Sequence, residues 1–181
     1  MFRRMRNIRR ARFTLEQNQS ISQAFRLLAN GKSGEAAVIF ARLAQQMETS
    51  HAPRRAANLH AQAAHAYIDN QEAAPGLSEA QKALNLFLQT QMTPRAVQFY
   101  TNITQKLQNR GMNSASQKLQ DEFGSQIGSI PTRQSPPVAP STGRLPTTCP
   151  QCGGPIHRDA VDWVDNRTIE CAYCGALIQS N

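Results

Sequence analysis

From residue 19 to residue 123, apolar side chains recur at intervals of three and four, the spacing of one face of an α-helix. Ala36, Phe40, Leu43 and Ala44 form one such set, and Ala80, Ala83, Leu84 and Phe87 another. Pro53, Pro75 and Pro94 each stand ahead of a periodic stretch, where a helix start accommodates proline. Thr93 before Pro94 suits an N-cap. Gly31, Gly34, Gly76 and Gly111 fall between the stretches and read as turns. The pattern predicts six helices, at about 19–30, 34–48, 53–70, 77–90, 94–109 and 113–123, with short turns that make neighbours antiparallel.

After residue 123 the pattern changes. Residues 124–147 carry Pro131, Pro136, Pro137, Pro140 and Pro146 among Ser, Thr and Gly, with neither helical nor strand periodicity. Such a stretch buries too little apolar surface to offset its ordering entropy and reads as a flexible tether. Beyond it, Val161-Asp162-Trp163-Val164 alternates like a strand. Asp165-Asn166-Arg167 supplies turn residues, and Thr168-Ile169-Glu170 a returning strand.

Within the helical part the apolar motif repeats. The set with Glu35-Ala36, Phe40 and Leu43-Ala44 recurs as Glu79-Ala80, Ala83-Leu84 and Phe87, and more weakly at Ala115 and Leu119. A small alanine lets two helices of a hairpin cross closely, and a large residue four positions on fills the gap to the next. The stretch resembles a tetratricopeptide-repeat solenoid of three degenerate units. That resemblance implies a concave face lined by the first helix of each pair. Its polar candidates are Arg26, Asn30, Arg55, Asn58, Gln62, Arg95, Gln98 and Asn102, and it would suit a protein partner or an acidic peptide. For each residue alone, an ordinary solvated face is the plainer reading.

The strongest chemical signal is C-terminal. Cys149-Pro-Gln-Cys152-Gly and Cys171-Ala-Tyr-Cys174-Gly are two C-x-x-C-G knuckles, with eighteen residues between Cys152 and Cys171. Zinc takes four thiolates in a tetrahedron, and two residues between paired cysteines let one tight turn present both sulfurs. A following glycine can adopt the positive φ of such a turn. Residues 148–178 resemble a zinc ribbon, a hairpin joining two knuckles. The implied cofactor is one structural Zn²⁺ on Cys149, Cys152, Cys171 and Cys174. Iron is a less favoured occupant of the same sulfurs, as in rubredoxin. Two disulfides would require an oxidising compartment, and a redox C-x-x-C would open a helix in a βαβ unit that is not visible here. His157 reads as a surface residue and Trp163 as packing against the site.

Charge and composition sharpen this division. The net charge of +8 is unevenly spread. Residues 1–17 hold Arg3, Arg4, Arg6, Arg9, Arg10 and Arg12 against Glu16 alone. Residues 18–147 are mildly basic, whereas residues 148–181 carry four acidic side chains against Arg158 and Arg167. The arm suits contact with an anion, either nucleic acid or an anionic membrane, or is simply a solvated helix end; it also loosely fits a transit peptide. The acidic ribbon lacks the basic patch that nucleic-acid recognition expects.

These features define four regions: a basic arm (1–17), a tetratricopeptide-like helical domain (18–123), a linker (124–147) and a four-cysteine ribbon (148–181). The fold class is mainly α with a small β module. The whole resembles bacterial proteins that join a short helical-repeat domain to a terminal zinc ribbon, a resemblance that specifies no activity. No apolar run is long enough to span a bilayer and no secretory signal is evident, so a cytoplasmic setting is expected. No H-E-x-x-H pair, phosphate-binding glycine loop or G-x-S-x-G elbow occurs. The expectation is a non-catalytic adaptor or scaffold, with a nucleic-acid-associated factor acting through the arm as the alternative. A third expectation is intramolecular: the acidic ribbon could dock on the basic helices.

Overall fold

A computed structural model describes residues 2–130, 144–157, 161–164 and 167–180, with the backbone alone for residues 2–14 and for Asp162. Most of the expected linker (131–143), together with Asp165 and Asn166 of the expected turn, lies outside the described residues. The described chain forms six helices: α1 (Phe2–Ala29), α2 (Ser33–Thr49), α3 (Pro53–Asp69), α4 (Ala73–Gln89), α5 (Thr93–Asn109) and α6 (Asn113–Gly128). Three short strands follow: β1 (Asp162–Trp163), β2 (Thr168–Glu170) and β3 (Leu177–Gln179). The mainly helical class with a small antiparallel sheet is therefore observed.

The helices are more regular than the apolar pattern suggested. Ser33, Pro53, Ala73, Thr93 and Asn113 open successive helices at intervals of 20 residues, so a hairpin recurs every 40. That interval is longer than the roughly 34 residues of a tetratricopeptide unit. The regularity comes from one turn used five times. In each, a residue with positive φ follows the helix: Gly31, His51, Gln71, Gln91 and Gly111. The next amide reaches back five residues, as in Lys32 N–H to the Leu27 carbonyl (2.9 Å) and Met92 N–H to the Phe87 carbonyl (2.8 Å). This is the Schellman closure, which satisfies carbonyls that the helix end would leave unpaired.

Some boundaries differ from the sequence expectation, for local reasons. Gly34 and Gly76 lie inside α2 and α4 rather than in turns. At Gly76 a Cβ would come within 2.9 Å of the Ile68 side chain, so glycine here admits a close approach of α3 and α4. Helix α6 runs on to Gly128, taking in residues read as linker. Phe123 and Ile127, four positions apart, are both buried and hold that last turn to the core. At the other end, α1 is continuous from Phe2, so the basic arm and the first domain helix share one backbone rod.

Two apolar clusters hold the stack. One joins α3 to α6 through residues such as Ile68, Leu84, Ile103, Leu119 and Phe123. The other joins α1, α2 and α3 and continues into the ribbon, where Ile169, Tyr173 and Ile178 take part. Ala36 and Ala80 are fully buried, as are Phe40 and Leu84 four positions beyond them. The alternation of small and large core residues is thus present as packing.

One buried polar network crosses three helices. His60 on α3 is 1% exposed. Its Nδ1 lies 2.5 Å from the Glu79 carboxylate on α4 and its Nε2 lies 2.6 Å from Glu48 on α2. Lys82 Nζ donates to the other Glu79 oxygen (2.7 Å). Burial raises the Glu79 pKa, but the hydrogen bonds and charges of His60 and Lys82 outweigh it and leave the group below its ordinary value. A second tie joins α3 to α5, where Asp69 accepts from Lys106 (2.6 Å) and Arg110 (2.8 Å).

Candidate metal centre

The C-terminal unit is built from two like turns. Gly153 N–H donates to the Cys149 carbonyl (2.8 Å), and Cys149 N–H to the Gly154 carbonyl (2.8 Å). In the second knuckle Gly175 N–H donates to the Cys171 carbonyl (2.9 Å), and Cys171 N–H to the Ala176 carbonyl (2.9 Å). Gly153 and Gly175 have φ of +70° and +72°, the conformation expected of the glycine after each pair. The strands pair β1–β2–β3, antiparallel throughout, with Trp163 opposite Ile169 and Ile169 opposite Ile178. The hairpin expected between the knuckles is therefore present, and β3 adds a strand that the sequence pattern did not announce.

All four cysteines are buried. Their sulfurs lie within 4.8 Å of one another. Cys149 faces Cys174 at 3.7 Å, and Cys152 faces Cys171 at 3.7 Å. A tetrahedral zinc with sulfurs at about 2.3 Å has an edge of about 3.8 Å. The donor set therefore fits a four-coordinate metal ion, one ligand from each end of each knuckle. If protons rather than a metal occupied the cluster, hydrogen bonding with Cys171 would push the Cys152 thiol up. The same bond would pull Cys171 down. A metal must displace those protons to bind, so binding and acid oppose one another.

The centre does not stand apart from the helices. The Tyr173 ring, between the two cysteines of the second knuckle, packs edge-on to Phe25 of α1 with centroids 5.2 Å apart. Gln62 of α3 donates to the Tyr173 hydroxyl (3.1 Å), and Asn58 donates to the Ala172 carbonyl (3.1 Å). Arg55 approaches Glu170 at 3.6 Å. The knuckle glycines sit against the same face. A Cβ at Gly154 would meet the Tyr173 and Phe25 rings, and one at Gly175 would collide with the Arg55 guanidinium. The ribbon docks on the helices, as the intramolecular expectation had it, but chiefly through neutral contacts, with the Arg55–Glu170 ion pair at their edge.

The sequence candidates for a partner face are thus divided. Arg55, Asn58 and Gln62 hold the ribbon. Arg95 donates to Asn58 (3.1 Å). With Gln98 and Asn102 it lines a cavity of about 150 Å³ between α3, α5 and the ribbon. His157 lines it too, exposed, and takes no part in the four-cysteine cluster. Arg26 and Asn30 are exposed near the end of α1. For Arg3, Arg4, Arg6, Arg9, Arg10 and Arg12 only the helical backbone is described.

Sequence reasoning missed Tyr173 and Phe25. Trp163 drew the attention instead; it is half-buried against the same cluster. The available signal was position: Tyr173 lies inside a knuckle, whose outward loop is what a neighbouring surface meets. No family model, curated protein or solved structure matches the chain.

Proposed function

We propose that the protein is a non-catalytic interaction adaptor, made of a tetratricopeptide-like stack of helical hairpins and a zinc ribbon that carries one structural Zn²⁺. The metal supplies folding free energy to a unit whose own core is very small. Four protein thiolates close the coordination shell, which suits a structural rather than a catalytic ion. The supporting observation is the helical face itself. Phe25, Asn58 and Gln62 recognise an aromatic ring, a carbonyl and a hydroxyl of a folded module. A surface that reads another module by such contacts is equipped for docking. Among the described residues no helix is long and apolar enough to cross a membrane, in keeping with the cytoplasmic setting we assign.

The test is capture of a defined partner by the full zinc-loaded chain, paired with metal analysis. One zinc per chain is expected, along with a specific protein whose binding weakens in Arg26→Glu and Asn30→Ala. Iron in place of zinc would correct the cofactor. Capture indifferent to every exposed polar position of α1 and α5, or turnover of a substrate, would remove the adaptor function.

A further inference from the structure

We infer that the metal centre is a latch on the helical stack: the metal-loaded ribbon occupies the face of α1 and α3, and metal loss releases that face. The inference rests on the zinc assignment above, and adds a regulated surface to it.

The contacts that hold the ribbon down come from the metal-binding turns themselves. Ala172 and Tyr173 lie between Cys171 and Cys174. The carbonyl of the first accepts from Asn58, and the hydroxyl of the second accepts from Gln62. Gly154, two residues after Cys152, lies under the Tyr173 ring and beside Phe25. Gly153 faces Ser22 of α1, where a Cβ would come to 3.6 Å from the Ser22 Oγ. Both knuckles therefore point at the helices, and their loop geometry sets the docking geometry.

The ribbon has little else to keep that geometry. Its strands are two or three residues long. Among the described residues, its fully or nearly buried side chains are the four cysteines with Ile169, Tyr173 and Ile178. Removing the metal withdraws the covalent tie between the two turns and leaves them joined by the packing of Gly154 under Tyr173 and by short strand pairs, and such small metallo-units unfold without it. The helical face has its own support. Helices α2 and α3 pack through Ala36, Phe40, Ala56 and Leu59, and His60 fastens α3 to α2 and α4. Losing the ribbon therefore uncovers Phe25, Arg55, Asn58 and Gln62 on a stack that remains folded. That surface offers an aromatic ring, two amides and a cation, and fits an acidic segment carrying an aromatic residue, as the ribbon does with Glu170 and Tyr173.

Linkage makes the relation reciprocal: if the metal favours docking, docking favours the metal by the same factor. The full chain would be followed by NMR while a strong zinc chelator is added. The side-chain amides of Asn58 and Gln62 and the Phe25 ring should move on chelation, while Ile103 and Phe123 in the cluster that joins α3 to α6 stay in place. Zinc affinity, measured by competition with a chromophoric chelator, should fall about 5- to 150-fold in Asn58→Ala/Gln62→Ala. Arg55→Glu should act in the same direction. Both are altered on the helix side and leave the cysteines untouched. Unmoved Asn58, Gln62 and Phe25 signals in the metal-free chain, or unaltered affinity in both variants, would overturn the latch. Failure of the zinc assignment reads differently, as a purified chain that binds no zinc at all.

Discussion

The ring of Phe25 on α1 stands edge-on to Tyr173 in the second knuckle, with the two planes at 70°. The same Phe25 meets Phe40 of α2 at 5.0 Å and 68°. Three rings thus run from the second helix, through the first, into the four-cysteine unit. Tyr173 is 8% exposed, and burial pushes its phenol up to about 12, so the hydroxyl stays protonated and neutral at ordinary pH.

Two substitutions separate the ring from its hydroxyl. Tyr173→Phe keeps the edge-on contact and loses the hydrogen bond from Gln62, a cost of about 0.5–1.5 kcal/mol. Tyr173→Ala removes the ring from a packed site and should cost about 3–5 kcal/mol, the range for buried aromatic truncations. Urea unfolding followed in the ribbon region should show the Ala variant at least twice as impaired as the Phe variant. Equal effects would mean that the ring contact contributes little.

Removing one ligand should unfold one part of the molecule only. Cys152→Ser takes a sulfur from a cluster in which Cys152 and Cys171 face each other at 3.7 Å. The zinc content should fall below one per chain, and the strand signals from Thr168–Glu170 and Leu177–Gln179 should disappear from the spectrum. The cluster around Leu84, Ile103 and Leu119 shares no ribbon residue, so helicity should be largely retained. Global loss of helix in Cys152→Ser would show that the stack cannot stand without its ribbon.

Acid should weaken the fold through His65. Its ring packs edge-on against Phe99 at 5.4 Å. Burial pulls its pKa down to about 4; Lys106 adds to this and Asp69 opposes it. The unfolded chain takes up this proton near pH 6.5, whereas the folded chain resists until about 4. Stability is therefore complete above pH 6.5 and declines as pH falls towards 4, by up to about 1.4 kcal/mol per unit. His65→Gln should flatten the profile across that window. The lowered Glu79 acts at more acid pH, below its ordinary 4.5, and its contribution should persist in the variant. A wild-type profile already flat between pH 6.5 and 5 would remove this role for His65.

Much of this structure was readable from residue spacing. The two C-x-x-C-G knuckles announced the four clustered cysteines and two positive-φ glycines without any tertiary information, because each knuckle is a local turn. The helices were readable from alanine and leucine periodicity. The turns were less so, because the same left-handed position is filled by Gly31 and Gly111 at two turns but by His51, Gln71 and Gln91 at three. There the closure is imposed by the hairpin and not by residue preference. The α1–ribbon contact was not legible, since Phe25 and Tyr173 are uncharged and 148 residues apart in the chain; the charge difference between the regions pointed only to a pair such as Arg55 and Glu170 on α3 and β2.

Those three turns offer a direct measurement. A non-glycine residue in the left-handed region carries a strain of about 1–2 kcal/mol. Glycine relieves it, at an entropic cost of about 0.5–1 kcal/mol. Gln91 is exposed with φ of 58°. Gln91→Gly should therefore stabilise the chain by up to about 1.5 kcal/mol, seen as a higher melting temperature. Gln91→Val, β-branched at the same φ, should lower it. If both variants melt alike, the turn is set by something other than this backbone angle.

The arm poses the remaining question, whether six arginines carried on the same rod as the domain make contact with an anion. Helix α1 is continuous from Phe2 to Ala29. Arg3, Arg4, Arg6, Arg9, Arg10 and Arg12 are thus strung along its first three turns or so. If all six neutralise phosphates of duplex DNA, the logarithm of affinity should fall with the logarithm of salt at a slope of about −5. Deleting residues 1–13 should abolish that binding while leaving the zinc content unchanged, because no ligand lies near the arm in sequence. Flotation with anionic vesicles, run with the same deletion, distinguishes a membrane from nucleic acid as the source of the phosphate. Binding that survives the deletion would move the contact to the basic helices. A slope near zero would show that the arm's charge takes no part.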